Sequence, residues 1–337
     1  MIFVRKKIFN IKMSSHAYIA LFFILYLSAL VIISFDAVDA IQQWINLFIF
    51  LLTVIIVNEK NICINKNQII KIYFDVILYV SVVVLLQYLL YNLKGIVLGN
   101  IMLLGSTRLA IGYLFNDFSF LSIYLASGLA VVLVLNKRYY LDYQFYIILI
   151  ACVVTSARSG IVAFFILFVI SYMFKGIIKL KKNPLIIAVS LIIIPLTSVM
   201  LFWILRKTRP DDFNLSSGRI EGYLSNLSLI AENWFFGMGL GVGNYKLYTG
   251  QAIPHNIFIQ FVVQTGVVGF LLLLILLAVL TVNIYKNSKK YFSLWLLILL
   301  GAQFIPDIFH SRFIIVVIVI LASKNIVNTQ RLKINGD

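Results

Sequence analysis

The sequence predicts an all-α, polytopic integral membrane protein with about ten transmembrane helices. Of its 337 residues, 62% are hydrophobic and only 12% are charged. The mean hydropathy is +1.02, and several apolar runs reach the roughly 20 residues that a bilayer-spanning helix needs. No soluble domain interrupts these runs, so residues 1–337 are interpreted as a single polytopic membrane domain.

Ten apolar runs are the candidate helices, and the fifth and ninth are short. They lie near residues 17–35, 41–58, 72–92, 118–136, 144–157, 159–174, 184–205, 266–285, 292–305 and 313–328. The basic amino-terminal stretch leads directly into the first run, so no cleavable signal is expected. The two cysteines, Cys63 and Cys152, predict neither a disulfide framework nor a cysteine metal site.

The net charge of +16 would suggest nucleic acid in a soluble chain, but here the cations follow the predicted topology. With the amino terminus inside, the inner segments and the carboxyl-terminal tail hold 19 of the 28 Lys and Arg. The positive-inside rule therefore predicts that both termini are cytoplasmic, and no nucleic-acid partner is expected.

The nine remaining cations, on the predicted outer side, differ in kind from the inner ones. Six are arginines and three are lysines, whereas lysine dominates inside. The planar guanidinium fork suits bidentate capture of phosphate, so the outer face is interpreted as an anion site. The alternative is that these arginines only snorkel or pair with outer carboxylates. The outer arginines are Arg108, Arg158, Arg206, Arg209, Arg219 and Arg312.

The longest predicted outer loop spans residues 206–265, and long loops without a fold of their own are usually functional. It contains a predicted surface helix at 219–233. Residues 237–244 then read Gly-Met-Gly-Leu-Gly-Val-Gly-Asn. Glycines at every second position predict a loop whose accessible amides could cradle an anion, or a tight turn with only a structural role.

Two arginines lie in polar breaks between apolar runs. Residues 155–160 read Thr-Ser-Ala-Arg-Ser-Gly and predict a tight outer turn at Arg158. Arg108 lies within an outer segment, 96–115, that is too apolar to be a free loop. That segment is predicted to enter the membrane surface as an amphipathic or re-entrant piece.

Residues from Asn256 predict a helix with Asn256 as its cap. Asn256, Gln260 and Gln264 recur every fourth residue, which predicts a polar stripe beside a hydrophilic cavity. His255 precedes this helix, where the helix dipole favours a neutral imidazole that can accept a proton. A structural histidine bonded to a loop carbonyl is the alternative. A second cluster on the same side, with His310 and Arg312, either completes the site or forms a capped turn.

Four stretches, in this order, resemble the O-antigen polymerase and O-antigen ligase superfamily of bacterial membrane glycosyltransferases. They are an arginine segment before a middle helix (105–116), a Thr-x-Ser-Arg-like hairpin (155–160), a Gly-Arg followed by a helix and a Phe-Gly-x-Gly-x-Gly run (218–244), and a His-Asn opening a helix that ends in Gly-x-x-Gly (255–269). Together they span about half the chain. Ala157 departs from the pattern, since a serine commonly precedes the arginine.

The resemblance implies a fold similar to the C-type glycosyltransferases and an undecaprenyl-diphosphate-linked oligosaccharide as substrate. It implies that Arg108, Arg158 and Arg219 stabilise the diphosphate and that His255 acts on the acceptor hydroxyl, with Asn256, His310 and Arg312 as secondary candidates. It further implies the bacterial inner membrane with the active site on its outer face, membrane lipids and a chain-length regulator protein as partners, and no cofactor.

Among the functions within this resemblance, a repeat-unit polymerase is preferred to an O-antigen ligase acting on the lipid A core. A lipid-linked oligosaccharide flippase is disfavoured, because transporters bury ionisable groups near the midplane and here only Asp75 is placed inside a span. Asp36 and Asp39 in the first outer loop could hold a hard cation, but so short a connection more often solvates a helix turn. No metal is predicted.

Overall fold

The computed structural model describes residues 15–59, 62–104, 108–135, 141–180, 219–249, 255–307, 309 and 311–325. These residues are mostly helical. In chain order the helices are α1 (Ser15–Ile33), α2 (Ala37–Glu59), α3 (Lys66–Lys94), α4 (Phe118–Leu135), α5 (Tyr143–Val154), α6 (Arg158–Leu180), α7 (Arg219–Glu232), α8 (Val242–Thr249), α9 (Ile257–Ser288), α10 (Phe292–Gly301) and α11 (Arg312–Ala322). The strands are β1 (Cys63–Ile64), β2 (Asn100–Leu104), β3 (Arg108–Tyr113) and β4 (Lys324–Asn325).

Nine of the ten predicted apolar runs coincide with helices, and the run at 184–205 lies outside the described residues. The prediction of ten transmembrane helices is not confirmed. In the described part of the chain, four helical segments are long and apolar enough to cross a membrane: Ala37–Val57, Lys66–Lys94, Phe118–Leu135 and Ile257–Gly301. The helices Ala17–Ile33, Tyr143–Val154, Arg158–Ser171 and Arg312–Ala322 are apolar but shorter.

The all-α prediction needs correction, because the segment around Arg108 is a β-hairpin. Strands β2 and β3 pair antiparallel, with Ile101 opposite Ile111. Short apolar runs have no periodicity that separates strand from helix, and only pairing decides between them. The hairpin is fixed to the entry of α4 by Asn100, whose Nδ2 donates to the carbonyl of Phe115 at 2.9 Å.

Helix α4 forms the centre of the bundle. Every residue from Leu121 to Val132 is buried, and α4 packs against α3, α5, α6 and α10. By contrast, α1, α2, α3 and α9 each expose large aliphatic and aromatic side chains. A helix that is apolar all round must be covered by protein or lipid, so these exposed faces are the ones that suit a bilayer.

Lys66 closes one end of the bundle. Its side chain is only 2% exposed, and Nζ donates to the carbonyls of Asn287 at 2.8 Å and Leu321 at 3.1 Å and to Oγ of Ser288. Because these acceptors lie at the carboxyl ends of α9 and α11, the ammonium group also meets two favourable helix dipoles. The start of α3 and the carboxyl ends of α9 and α11 thus meet at this end.

Replacing Lys66 with methionine keeps an aliphatic side chain but leaves buried acceptors without their donor. We expect Lys66→Met to lower the free energy of unfolding by about 1–3 kcal/mol, measured by thermal unfolding of the detergent-solubilised protein. Lys71→Met is the matched control, because Lys71 lies on the same helix and is exposed. Equal stability of the two variants would show that Lys66 does not join these helices.

Candidate functional site

A three-residue turn between α5 and α6 makes Arg158 the first residue of α6. Within the turn, Ser156 has φ 61°, and the amide of Ala157 donates to Oγ1 of Thr155 at 3.3 Å. The tight turn predicted at 155–160 is therefore present. Arg158 itself is half-buried.

The start of α6 is held directly against the start of α4. The amide of Gly160 donates to Oγ of Ser122 at 3.1 Å, and Oγ of Ser159 donates to the carbonyl of Ser119 at 3.3 Å. A Cβ atom on Gly160 would lie 2.1 Å from the carbonyl oxygen of Ser122. Only glycine permits this approach, which fixes the position of Arg158 relative to α4.

Asn256 caps α9, as the sequence predicts. Its Oδ1 accepts from the amides of Phe258 at 2.9 Å and Ile259 at 3.2 Å, and its Nδ2 donates to Oε1 of Gln303 at 3.1 Å. His255 immediately precedes this cap and is exposed. Asn256 therefore fixes the backbone next to His255 and also connects the start of α9 to Gln303.

Helices α4 and α10 place Arg158 and His255 at the same end of the bundle. The amide of Ile257 donates to the carbonyl of Ala302 at 3.1 Å, just past the end of α10. A Cβ atom on Gly301 would lie 2.6 Å from Cδ1 of Ile123 in α4, next to the serine that binds α6. We call this the His255 end; it comprises residues 34–43, 115–123, 155–160, 237–244, 255–265, 301–307 and Arg312.

The other predicted site residues are placed less completely. Arg312 begins α11 and is exposed, and its neighbour Phe313 packs edge-to-face on Tyr124 of α4, with centroids 5.4 Å apart. Arg108 begins β3 and Arg219 begins α7, but their side chains lie outside the described part of the structure. His310 lies outside the described residues altogether.

Helix α9 is broken at Gly266, where φ is 61° and ψ is −171°. A break is therefore present between the helix predicted from Asn256 and the apolar run predicted from residue 266. Residues after α7 donate hydrogen bonds to the carbonyls next to the break. The amide of Met238 donates to the carbonyl of Val263 at 2.9 Å, and the amide of Gly239 donates to the carbonyl of Gln264 at 3.1 Å. Tyr26 Oη donates to the carbonyl of Thr265 at 2.6 Å.

Six amides of the glycine loop, residues 237–244, already donate to acceptors within the chain. The amide of Leu240 donates to Oγ of Ser34 at 2.9 Å, that of Gly241 to Oε1 of Gln43, and that of Gly243 to Oδ2 of Asp39 at 2.6 Å. The amides that an anion would need are thus already bonded to this chain's own acceptors. The loop has the structural role that was the alternative prediction from the sequence.

The polar stripe on α9 is present, but it faces a closed network rather than an open cavity. Gln264 exchanges hydrogen bonds with Gln43 of α2, at 2.8 and 3.1 Å. Gln264 also accepts from Nε2 of Gln260 at 3.2 Å. Both Gln43 and Gln260 donate to Oδ1 of Asp307, whose amide donates to Oε1 of Gln260 at 2.8 Å. Gln43, Gln260 and Gln264 are all buried, so mutual pairing offsets their desolvation.

Sequence reasoning missed the partners of this network. No local pattern predicts a role for Gln43, and for Asp39 the sequence predicts either a metal ligand beside Asp36 or a residue that solvates a helix turn. The described residues contain no group of three His, Cys, Asp or Glu side chains that could hold a metal ion. The available signal was the spacing of Asp39 and Gln43, one turn apart near the start of α2, on a helix that is largely apolar after Asn46.

The fold and this end of the bundle define a multi-helix membrane protein that gathers polar side chains and arginine-initiated helices at one end. Residues 144–274 match the family model described as O-antigen ligase, which covers less than half of the chain. This match supports the O-antigen ligase and polymerase superfamily and confirms the resemblance predicted from the sequence. Three of the four stretches that carried the resemblance lie within it. No curated protein matches the chain.

Gly266 and Gly95 together allow a matched test of the α9 break. Both have positive φ, 61° and 65°. Gly266 combines it with ψ −171°, a region essentially restricted to glycine, and a Cβ atom there would lie 2.1 Å from the carbonyl oxygen of Phe235, whereas Gly95 is in the left-handed helical region with open space around it. We expect Gly95→Ala to cost about 1 kcal/mol from backbone strain, and Gly266→Ala about 3 kcal/mol or more because the glycine loop must also move. Thermal unfolding in detergent measures both, and equal losses would contradict the close contact.

Proposed function

We propose that this protein is a membrane glycosyltransferase that extends a surface polysaccharide. It transfers a glycan from undecaprenyl diphosphate to a sugar hydroxyl of another lipid-linked repeat unit. The His255 end faces the outer side of the bacterial inner membrane, with both termini in the cytoplasm. The family match and the apolar helices support the membrane setting and the polysaccharide class; the donor, the acceptor and the orientation are the proposal.

The observation that carries the proposal is the way two helices begin at the His255 end. Helices α6 and α11 start with Arg158 and Arg312, and neither has an acidic residue in its first turn. A helix dipole favours anions at its amino end, so an arginine there is locally unfavourable. Two such starts at one end create a positive region that suits an anionic ligand such as a diphosphate.

In the proposed reaction, the acceptor hydroxyl oxygen attacks the anomeric carbon of the donor glycan while the bond from that carbon to the diphosphate breaks. The hydroxyl proton passes to the neutral imidazole of His255. The departing diphosphate carries the negative charge, and Arg158, with Arg108 and Arg219, stabilises it. A single displacement inverts the anomeric configuration and needs neither a metal nor a covalent sugar-enzyme intermediate.

An O-antigen ligase is the second candidate, because the matching family model carries that description. The donor and the site would be the same, and the acceptor would be the lipid A core. Deletion of the gene followed by gel analysis of surface glycan separates the two. A core carrying a single repeat unit indicates a polymerase, and a bare core with accumulated lipid-linked polymer indicates a ligase. Accumulation of single units in the inner leaflet would instead indicate a flippase and contradict the proposal.

We expect His255→Ala and Arg158→Ala each to reduce chain extension by roughly 100-fold or more, because they remove the proton acceptor and a diphosphate contact. Both proteins should still accumulate in the membrane. The measurement is glycan length on gels from cells with the chromosomal gene deleted, with protein amounts compared by immunoblot.

Lys246→Ala is the control for Arg158→Ala. Lys246 is an exposed cation in the last turn of α8, so its loss lowers the net charge equally without touching the proposed site. Polymer of normal length from either the His255 or the Arg158 variant would overturn the site assignment. Loss of polymer from the Lys246 variant would show that general charge, rather than a specific arginine, is what matters.

A further inference from the structure

Asp39 lies at the amino ends of two helices at once. It is in the first turn of α2, and its Oδ2 accepts from the amide of Gly243 at 2.6 Å. Gly243 is the second residue of α8. A carboxylate in this position caps α8 from another element and interacts favourably with both helix dipoles.

The residues around Asp39 hold the rest of the glycine loop. Ser34 and Gln43 accept from the amides of Leu240 and Gly241, and the amide of Phe35 donates to Oδ1 of Asn244 at 3.1 Å. A Cβ atom on Gly241 would lie 2.6 Å from Oδ2 of Asp39. The α1–α2 connection and the first turns of α2 therefore hold the loop from residue 240 to residue 244.

The glycine loop in turn connects the two helices whose starts carry proposed site residues. Beyond the loop's backbone bonds to the broken turn of α9, Met238 of the loop and Tyr245 of α8 belong to a small core that also contains Val263 of α9. Tyr245 Oη donates to Oδ1 of Asn226 in α7 at 2.8 Å. Helix α7 begins at Arg219, and α9 begins after His255 and Asn256. The glycine loop therefore fixes the positions of α7 and α9 relative to each other.

We infer that Asp39 is a positioning residue: by accepting the Gly243 amide it fixes the glycine loop, and through the loop it fixes the first half of α9 that carries His255. This positioning role adds to the proposed function. Of its two tests, only the measurement of chain extension rests on that function. It assigns Asp39 no contact with substrate. What the site requires at this position is a hydrogen-bond acceptor of the right length.

The geometry distinguishes this role from metal binding. Asp36, three residues before Asp39, uses Oδ1 to accept from the amides of Val38 and Asp39 at 3.2 and 3.1 Å. Asp36 therefore caps its own helix. A metal ligand or a proton acceptor needs the carboxylate itself, whereas a cap needs only an acceptor oxygen, which asparagine supplies nearly as well. The comparison of Asp39→Asn with Asp39→Ala separates these roles.

Cysteine labelling tests the position of the loop without any reference to sugar transfer. In a Cys63→Ser, Cys152→Ser background, Met238→Cys places a reporter at a residue that is 8% exposed. We expect N-ethylmaleimide to label it slowly in the parent and in Asp39→Asn, and roughly tenfold faster in Asp39→Ala, because loss of one cap raises the population of the open loop. Glu232→Ala, which removes an exposed carboxylate at the end of α7, should label like the parent.

Chain extension in the same variants gives the second readout. Asp39→Asn should retain polymer of near-normal length, and Asp39→Ala should lose it in parallel with faster labelling. Slow labelling in Asp39→Ala overturns the inference, since the loop would then be held without Asp39. Equally fast labelling or equal loss of polymer in Asp39→Asn also overturns it, since the charge would then be essential. If Asp39→Ala does not accumulate in the membrane, Asp39→Asn alone tests the inference. Slow labelling and polymer of near-normal length support it, and fast labelling or loss of polymer overturns it.

The two proposals fail in different ways. If His255→Ala retains full chain extension, the proposed function falls, but the labelling comparison still decides whether Asp39 holds the loop. If Asp39→Ala leaves the Met238→Cys reporter protected while His255→Ala abolishes polymer, the function stands and the positioning role falls.

Discussion

The break in α9 at Gly266 is the constraint on which the His255 end depends. A helix that stops hydrogen-bonding inside a membrane protein leaves carbonyls that water cannot satisfy, so other protein groups must do so. Here the carbonyls of Val263, Gln264 and Thr265 accept from Met238, Gly239 and Tyr26. The freed amide of Val267 donates to the carbonyl of Trp234 at 2.8 Å. The segment after α7 is therefore held against the break by Met238 and Gly239, and the α1–α2 region holds the rest of the glycine loop.

The break also explains why neutral amides line the interior of this end. The first half of α9 turns its polar stripe toward α2, and three buried glutamines there exchange hydrogen bonds among themselves and with one carboxylate, Asp307. Glutamine both donates and accepts, so a cluster can close without bringing additional charge into an apolar bundle. Unpaired cations in the same place would cost far more.

The sequence predicted the local features of this end, because neighbouring residues encode them. The cap at Asn256, the turn before Arg158 and the boundary at Gly266 each depend on a few adjacent residues, and each is present. The partners across the fold could not be predicted. Gln43 bonds to Gln264 and Asp39 to Gly243 across more than 200 residues of sequence, and no local pattern encodes such pairs. The β2–β3 hairpin was missed for a different reason, since periodicity alone does not separate a short apolar strand from a helix.

Because amides of the glycine loop are already hydrogen-bonded within the chain, those amides are excluded as donors to an anion at this end. In many phosphate sites a glycine-rich loop supplies backbone donors and a single cation assists. Here Ser34, Gln43 and Asp39 already take the donors of Leu240, Gly241 and Gly243, so the loop acts as a structural joint. If this end binds a diphosphate, as we propose, the positive charge would come from arginine side chains at helix starts, where the sequence places Arg158 and Arg312. A long guanidinium side chain can follow a leaving group as it moves, whereas a buried backbone amide cannot. Under the proposed function, the glycine loop would be a fixed support for the start of α9 next to His255, and the arginine side chains would supply positive charge that can move with the leaving group.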